Sequence, residues 1–416
     1  MAAAGLTAYL LFRSLWPQKS INESMFEQFP ELGLFPKDTT FFEKYRYIDM
    51  GLSAPQGIGP TFTGSKANKS PSTAVEFKNY TQPYYATFSL EGDLIRRSKS
   101  DKALLVDPMK RESSNIIKQW KLDQCRYIWG NGGGALAQLA ATSSISGQIM
   151  TLKNYSDHRF FRQNMKLNAS ATDGTSGSVT NTQYVTVAKV HRGTNNTTDP
   201  STITVSEASV AGAISGITDS WYLFRQYVFG NIIPGVEAWC PSTTPSDTFR
   251  GVDRSTDPEL LGGLRVTVTT KPPRTQLKIA CRALADMGGN PNLAVYSTED
   301  WGNLEADLDS AGSLVRTQVM ASPLNGMNFG VTYEAIKFMG PTGPVAVVAS
   351  PNHPVGVAHV FTKENMVLAS MGELLHHIDE NPVEDAADAK EFRMLGDVDF
   401  YPIAPVGQTI ARVALV

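Results

Sequence analysis

The stretch from Asp101 to Ala140, DKALLVDPMKRESSNIIKQWKLDQCRYIWGNGGGALAQLA, constrains the chain more than any other. Asp107-Pro108 reads as a helix start, because the carboxylate accepts orphan amides and a proline at the first helical position has no N–H to leave unpaired. From there Met109, Ile116, Ile117, Trp120, Ile128 and Trp129 recur at helical spacing, with Lys110, Arg111, Lys118 and Lys121 on other faces. Gly130-Asn131-Gly132 supplies left-handed residues to stop it. The result is an amphipathic helix about 33 Å long at 1.5 Å per residue.

Strand patterns flank this helix. Residues Leu52 to Pro71 are rich in Gly, Pro, Ser and Lys and read as an extended, flexible loop. Thr73 to Tyr80 and Tyr84 to Leu90 alternate and read as a β-hairpin arm. Between Ile149 and Phe229 Ser, Thr, Asn and Gly dominate, with short strands in QYVTVAKVHRG and STITVSEASVAG, which predicts an all-β insertion. Farther on, Leu277, Ala280, Cys281, Leu284 and Met287 mark a helix ended by Gly288-Gly289. LAVYS reads as a buried strand, and Ser297 with Asp300 as a capping-box pair opening the next helix. Val345 to Ala349, Ala358 to Thr362 and Met366 to Ser370 read as strands, and the closing FRMLGDVDFYPIAPVGQTIARVAL as extended chain.

Composition narrows the function. With 416 residues the chain has room for two to three domains and real cores. Thirty-seven basic against forty acidic side chains, without long blocks, argue against a nucleic-acid grip built on counterion release. Cys125, Cys240 and Cys281 are odd in number and far apart, which speaks against a disulfide framework or a CxxC zinc site and fits a reducing compartment. The apolar run Leu6 to Phe12 has neither a preceding basic run nor a following cleavage site, and no stretch approaches the roughly 18 apolar residues of a membrane span. A soluble chain with no membrane partner is expected.

Candidate chemical motifs fail on their spacing. Gly59 to Lys66 nearly spells a phosphate loop, but Lys and Ser stand in reversed order, and Asn-Lys-Ser-Pro follows where a helix must begin. Gly130 to Gly134 follows a helix, whereas a dinucleotide fingerprint follows a strand. His376-His377 with Asp379 and Glu380 invites a metal, yet adjacent side chains converge on one ion with difficulty. Glu305, Asp307 and Asp309 read as a solvated helix face, and no Gly-x-Ser-x-Gly elbow is present. The expectation is no enzyme, no metal and no cofactor.

The order of these parts carries a resemblance. An aromatic N-terminal arm precedes PQGIGPTFTGSKANKSPSTAVEF and YYATFSLEGDLIRRSKS; a long helix closes on RYIWGNGGG; PGVEAW, FRGVDRS and LAVYSTEDWGNLE follow. With GPVAVVASPNHPVGVAHVFTKENMVLASMGE and the closing APVGQTIARVAL, they resemble the major capsid proteins of tailed bacteriophages with the Hong Kong 97-type fold. The resemblance implies an α+β chain with an N-terminal arm at 1–48, an extended β-hairpin loop at 49–100, and a spine helix with the start of the peripheral domain at 101–148. It further implies a β-rich insertion at 149–230, a connector at 231–272, an axial domain at 273–380 and a return to the peripheral domain at 381–416. It implies a homo-oligomer of pentamers and hexamers in a virion capsid assembled in the host cytoplasm, with portal and scaffolding or decoration partners. Packaged double-stranded DNA would be enclosed without sequence readout. Lys66, Asn68 and Lys69 at the loop tip become the expected inter-subunit contacts. An encapsulin-type shell with the same fold, or a cytosolic hydrolase with a β-domain, are the competing readings.

Overall fold

A computed structural model describes residues 31–91, 103–268, 270–310, 316–320, 332–377, 383–385 and 389–415. The apolar run Leu6 to Phe12, most of the N-terminal arm, and Asp379 and Glu380 lie outside these residues. The chain divides into two compact units, one formed by residues up to Trp129 together with those from Trp239 onward, the other by Gly130–Ala238.

In the first unit the long helix spans Ala103–Tyr127, so Asp107-Pro108 falls in its second turn and does not open it. A proline removes one amide and crowds only the preceding turn, a cost that tertiary packing of the remaining helix offsets. The second correction concerns its faces. Ile117, Trp120, Ile128 and Trp129 are buried as the pattern demands, but so are Lys121, Asp123, Gln124, Cys125 and Tyr127, so the last two turns are covered nearly all round. Asp123 is satisfied there by the Tyr84 hydroxyl at 2.8 Å and by Gln119 Nε2 at 2.9 Å.

Trp120 fixes this helix against a sheet. Its Nε1 donates to the Tyr84 carbonyl at 3.0 Å, and its ring lies so close to Gly396 that a Cβ there would meet Cζ2 at 2.3 Å. Only glycine fits opposite the indole. Trp120→Phe, which loses the hydrogen bond and part of the ring, is expected to cost about 1–3 kcal/mol in urea unfolding of the unassembled subunit.

That sheet is six-stranded and built around the long strand Ala389–Pro402, which pairs antiparallel with Gln82–Glu91, Met366–Ser370, His376–His377 and Val383–Asp385; Lys37–Asp38 adds to Met366–Ser370 in parallel. His376 and His377 are consecutive residues of one short strand, paired with Leu395 and Met394. The aromatic segment after residue 30 adds to the core of this unit: Leu32, Leu34, Phe35 and Phe41 are each 1% exposed, and Phe35 packs on Phe361 and Phe400. Glu31 accepts from Ser350 Oγ at 2.6 Å and Asn352 Nδ2 at 2.9 Å, which pins the segment's start.

A seven-stranded mixed sheet runs Leu264–Val266, Ile410–Ala414, Val357–Phe361, Leu293–Ser297, Pro344–Ser350, Thr332–Met339, Arg316–Met320. The helix Pro273–Asp286 covers it through Leu277, Ala280, Cys281 and Leu284. The next helix, Thr298–Ser310, opens on the expected pair: Ser297 Oγ accepts from Asp300 N at 3.1 Å and donates to Asp300 Oδ2 at 2.7 Å.

Two histidines are buried beside this sheet. His353 Nε2 lies 2.8 Å from His359 Nδ1, both rings are fully buried, and Trp129 packs on both. Burial, reinforced by His353 and Arg412, holds the His359 imidazole well below its ordinary pKa. The unfolded chain therefore binds a proton at His359 that the folded chain refuses, and stability is full above the unfolded value of about 6.5 and falls as pH drops below it. Urea midpoints measured from pH 7.5 to 5.5 are expected to decline below pH 6.5 by up to one proton's linkage from this group, and a flat profile would contradict that assignment.

The second unit is an antiparallel seven-stranded sheet in the order Ala135–Gln138, Tyr222–Arg225, Lys166–Ser170, Val185–His191, Thr202–Val205, Ile149–Thr151, Ile145–Ser146. Its core is aliphatic and aromatic, including Leu139, Met150, Leu167, Val187, Ile203 and Leu223. The glycine run belongs to it: Gly132 and Gly134 have φ of 86° and 84°, and a Cβ on Gly133 would meet the Asp173 carbonyl oxygen at 2.1 Å. These glycines build the unit's first turn as well as following the helix.

Candidate assembly interface

The two strands expected to form a β-hairpin arm, Thr73 to Tyr80 and Tyr84 to Leu90, do not pair with each other. Thr73–Asn79 pairs antiparallel with Arg46–Ser53, whereas Gln82–Glu91 joins the six-stranded sheet. The hairpin is thus Arg46–Ser53, a tip, and Thr73–Asn79. Alternation alone could not choose between these partners, because it reports which face a strand buries and not which neighbour it takes. Along the hairpin only Met50, Phe77 and Asn79 are buried. Each arm is roughly 24–27 Å or less at about 3.4 Å per residue.

Its base is fixed by a buried charge. Arg250 donates two hydrogen bonds to Asp399, at 2.8 and 2.6 Å, and a third to Asn79 Oδ1 at 2.5 Å. Both ionic side chains are almost wholly removed from water, at 2% and 0% exposure. The Arg250 carbonyl also accepts from Lys78 N at 3.0 Å. Arg250 sits at φ 49° beside Gly251 at φ 86°, the two left-handed residues of a tight turn joining Thr248–Phe249 to Val252–Asp253. Around it Phe77 packs on Trp239 with centroids 5.2 Å apart, and Trp239 Nε1 donates to the Phe400 carbonyl at 2.8 Å. This anchor was not singled out in the sequence as a site; its trace there is the Arg-Gly pair within FRGVDRS.

The tip is built, not loose. Thr61 caps a short helix, Phe62–Ala67, by accepting from Gly64 N at 3.1 Å. Asn68 Nδ2 donates to the Ile58 carbonyl at 3.2 Å, and Gln56 N to Ser70 Oγ at 3.2 Å. Gly59 packs so tightly that a Cβ would meet Ser65 N at 2.9 Å. A helical turn therefore stands where the phosphate-loop likeness was weighed and an unstructured loop expected. Thr61→Ala should cost the tip about 0.5–2 kcal/mol locally, read as faster amide exchange at Gly64 and Ser65 with the global melt unchanged.

Lys66, Asn68 and Lys69 come together on this tip and are all exposed. Two apolar side chains join them: Phe62 is 84% exposed and Ile58 78%. Both are large apolar side chains held in water on a structured projection. Among the described residues no group of three or more His, Cys, Asp or Glu is placed to hold a metal, and no helix is long and apolar enough to cross a membrane.

No protein-family model matches the sequence, and no curated protein matches it by sequence. Solved structures do match. The capsid protein of cyanophage A-1(L) superposes with a TM-score of 0.52 at 12% identity over 93% of both chains. The capsid of a native GTA particle gives 0.46 at 8% identity over 93% of this chain and 90% of that one. An encapsulin complex from Synechococcus elongatus gives 0.43 at 6% identity over 91% and 84%. The first of these likenesses, spanning nearly the whole of both chains, establishes the class: the chain has the fold of a phage capsid subunit, of the Hong Kong 97-like type.

Proposed function

We propose that this chain is a major capsid protein: a structural subunit, not an enzyme, that self-assembles through pentamers and hexamers into an icosahedral virion shell enclosing double-stranded DNA. The observation that carries the reading is the hairpin, whose base is locked by Arg250 and Asp399 while its structured tip holds Phe62 and Ile58 in water. A two-stranded hairpin is marginal alone. Such a projection gains by lying on a second copy, and a contact of one surface with a different one closes into rings and, with curvature, into shells.

On this reading the hairpin is the extended loop, the long helix the spine, and Gly130–Ala238 an insertion domain, with Lys66, Asn68 and Lys69 among the contacts between subunits. The near balance of charge suits a container that encloses DNA without gripping it. Portal and scaffolding or decoration proteins would complete the particle, assembled in the host cytoplasm. Sedimentation velocity of the purified chain tests this: the reading expects a boundary of shell-sized particles, and particles from infected cells should hold nuclease-protected double-stranded DNA. A monomer at all concentrations would overturn the shell; packed enzyme inside the particles would overturn the phage genome as cargo.

A further inference from the structure

The first unit is assembled from two stretches of chain, up to Trp129 and from Trp239, that depend on each other for their sheets. Among the described residues, Lys37–Asp38 pairs with Met366–Ser370 and Gln82–Glu91 with Ala389–Pro402, so these early strands wait for partners near the end of the chain. Glu31 and Ser350, joined by a hydrogen bond, lie 319 positions apart. Contacts that remote form late, because the entropy of closing a loop rises with its length.

The second unit closes on itself. Just past its first strand, Leu139 bridges Leu152, Ala140 N donates to the Thr151 carbonyl at 3.0 Å and Lys153 N to the Gln138 carbonyl at 2.9 Å. The strand Ala135–Gln138 thereby meets Ile149–Thr151 from the other side of the sheet, and six strands form a hydrogen-bonded ring around one core. Its ties are short in sequence: Gln138 Nε2 donates to the Ser220 carbonyl across 82 positions. Its two ends also lie together. Gly230 N donates to the Gly133 carbonyl at 3.0 Å, and a Cβ on Gly132 would meet Pro234 Cα at 3.3 Å.

We propose that the second unit folds first and is the platform on which the two stretches of the first unit find each other. Once Gly132 lies against Pro234, the few residues out to Trp129 and Trp239 hold those indoles at most about 35 Å apart, at about 3.5 Å per residue. An unstructured chain of the same length would separate them by about 55–60 Å on average. The indoles are the groups that benefit. Trp129 packs on Phe361 and Trp239 on Phe77, so each reaches from its own stretch into the other, and both are buried. The inference concerns the single subunit and is independent of the shell reading.

Refolding of the full chain from urea, with pulsed hydrogen exchange read by mass spectrometry, tests the order. Peptides within residues 135–225 should gain protection about tenfold sooner or more than those covering 357–361 and 389–402. Protection of the first unit at the same time or earlier overturns the proposal. Two replacements of residues 135–229 test the span itself, followed by the fluorescence of Trp120, Trp129, Trp239 and Trp301, all in the first unit. A short Gly/Ser turn, which the bonded Gly133 and Gly230 allow, should refold within about threefold of the parent rate, whereas a Gly/Ser chain of the original length should be slower by about tenfold or more. Equal rates for the two replacements overturn the platform, and so does a short-turn variant that fails to fold, since the unit would then supply something other than the span.

Discussion

Deleting Gly57–Ser70 and joining the hairpin by a short glycine turn will leave a folded subunit that no longer closes into shells. The ends can be joined because Gln56 N already lies 3.2 Å from Ser70 Oγ, and a Cβ on Gly57 would sit 3.7 Å from the Lys69 Cα. Folding should survive because the tip's side-chain hydrogen bonds are made inside the tip, so its removal orphans nothing in the sheets. Assembly should not. Each copy loses Phe62 and Ile58, worth roughly 1.5–3 kcal/mol apiece when fully buried, and a shell repeats the loss at every subunit. A thermal melt of the deletion protein within a few degrees of the parent, with light scattering showing only small species, is the expected pair of results. Normal particles of normal stability would remove the hairpin from the assembly contact.

Arg250→Ala will destabilise the unassembled subunit by about 3–5 kcal/mol, because it leaves Asp399 charged and buried without its partner. The pair also spans the chain: Arg250 lies in the tight turn, Asn79 ends the hairpin, and Asp399 is in the long strand Ala389–Pro402. Losing the guanidinium therefore unties the hairpin's root from the sheet. Arg250→Gly separates the contributions, since it loses the same ion pair but relieves the left-handed backbone at φ 49°. It should be less harmful than alanine by about 1 kcal/mol. Urea unfolding gives both values, and a loss under about 1 kcal/mol for alanine would show that the pair contributes little to folding.

Much of the secondary structure was readable from local chemistry. The helix Pro273–Asp286 followed from its apolar spacing and its Gly288 stop, and the next from Ser297 and Asp300. The strand Leu293–Ser297 was plain because every residue in it is buried. The failures have physical causes. Asp107-Pro108 mimics a helix start, yet the helix begins at Ala103, because proline is tolerated near a helix start, where it crowds only the first turn, whose amides lack intrahelical partners. Lys121, Asp123 and Gln124 look solvated because polar residues usually are, yet the last two turns of that helix are enclosed.

That Lys66, Asn68 and Lys69 share one exposed tip was legible in the residues; how the tip is built was not. Lys66, Asn68 and Lys69 were picked out, while Thr61's cap and the exposed Phe62 and Ile58 passed as parts of a loop. The strand pairing was beyond reach, since Thr73–Asn79 could serve a hairpin with either neighbour and alternation is equal in both. Arg250 and Asp399, separated by 149 positions, meet only in three dimensions.

Cryo-electron microscopy of the purified full-length chain tests the central claim most directly. The account predicts closed icosahedral particles whose surface resolves into five- and six-membered clusters, with density for the Arg46–Asn79 hairpin lying across the adjacent subunit. Discrete monomers or small oligomers, or particles in which the hairpin folds back on its own subunit, would contradict it.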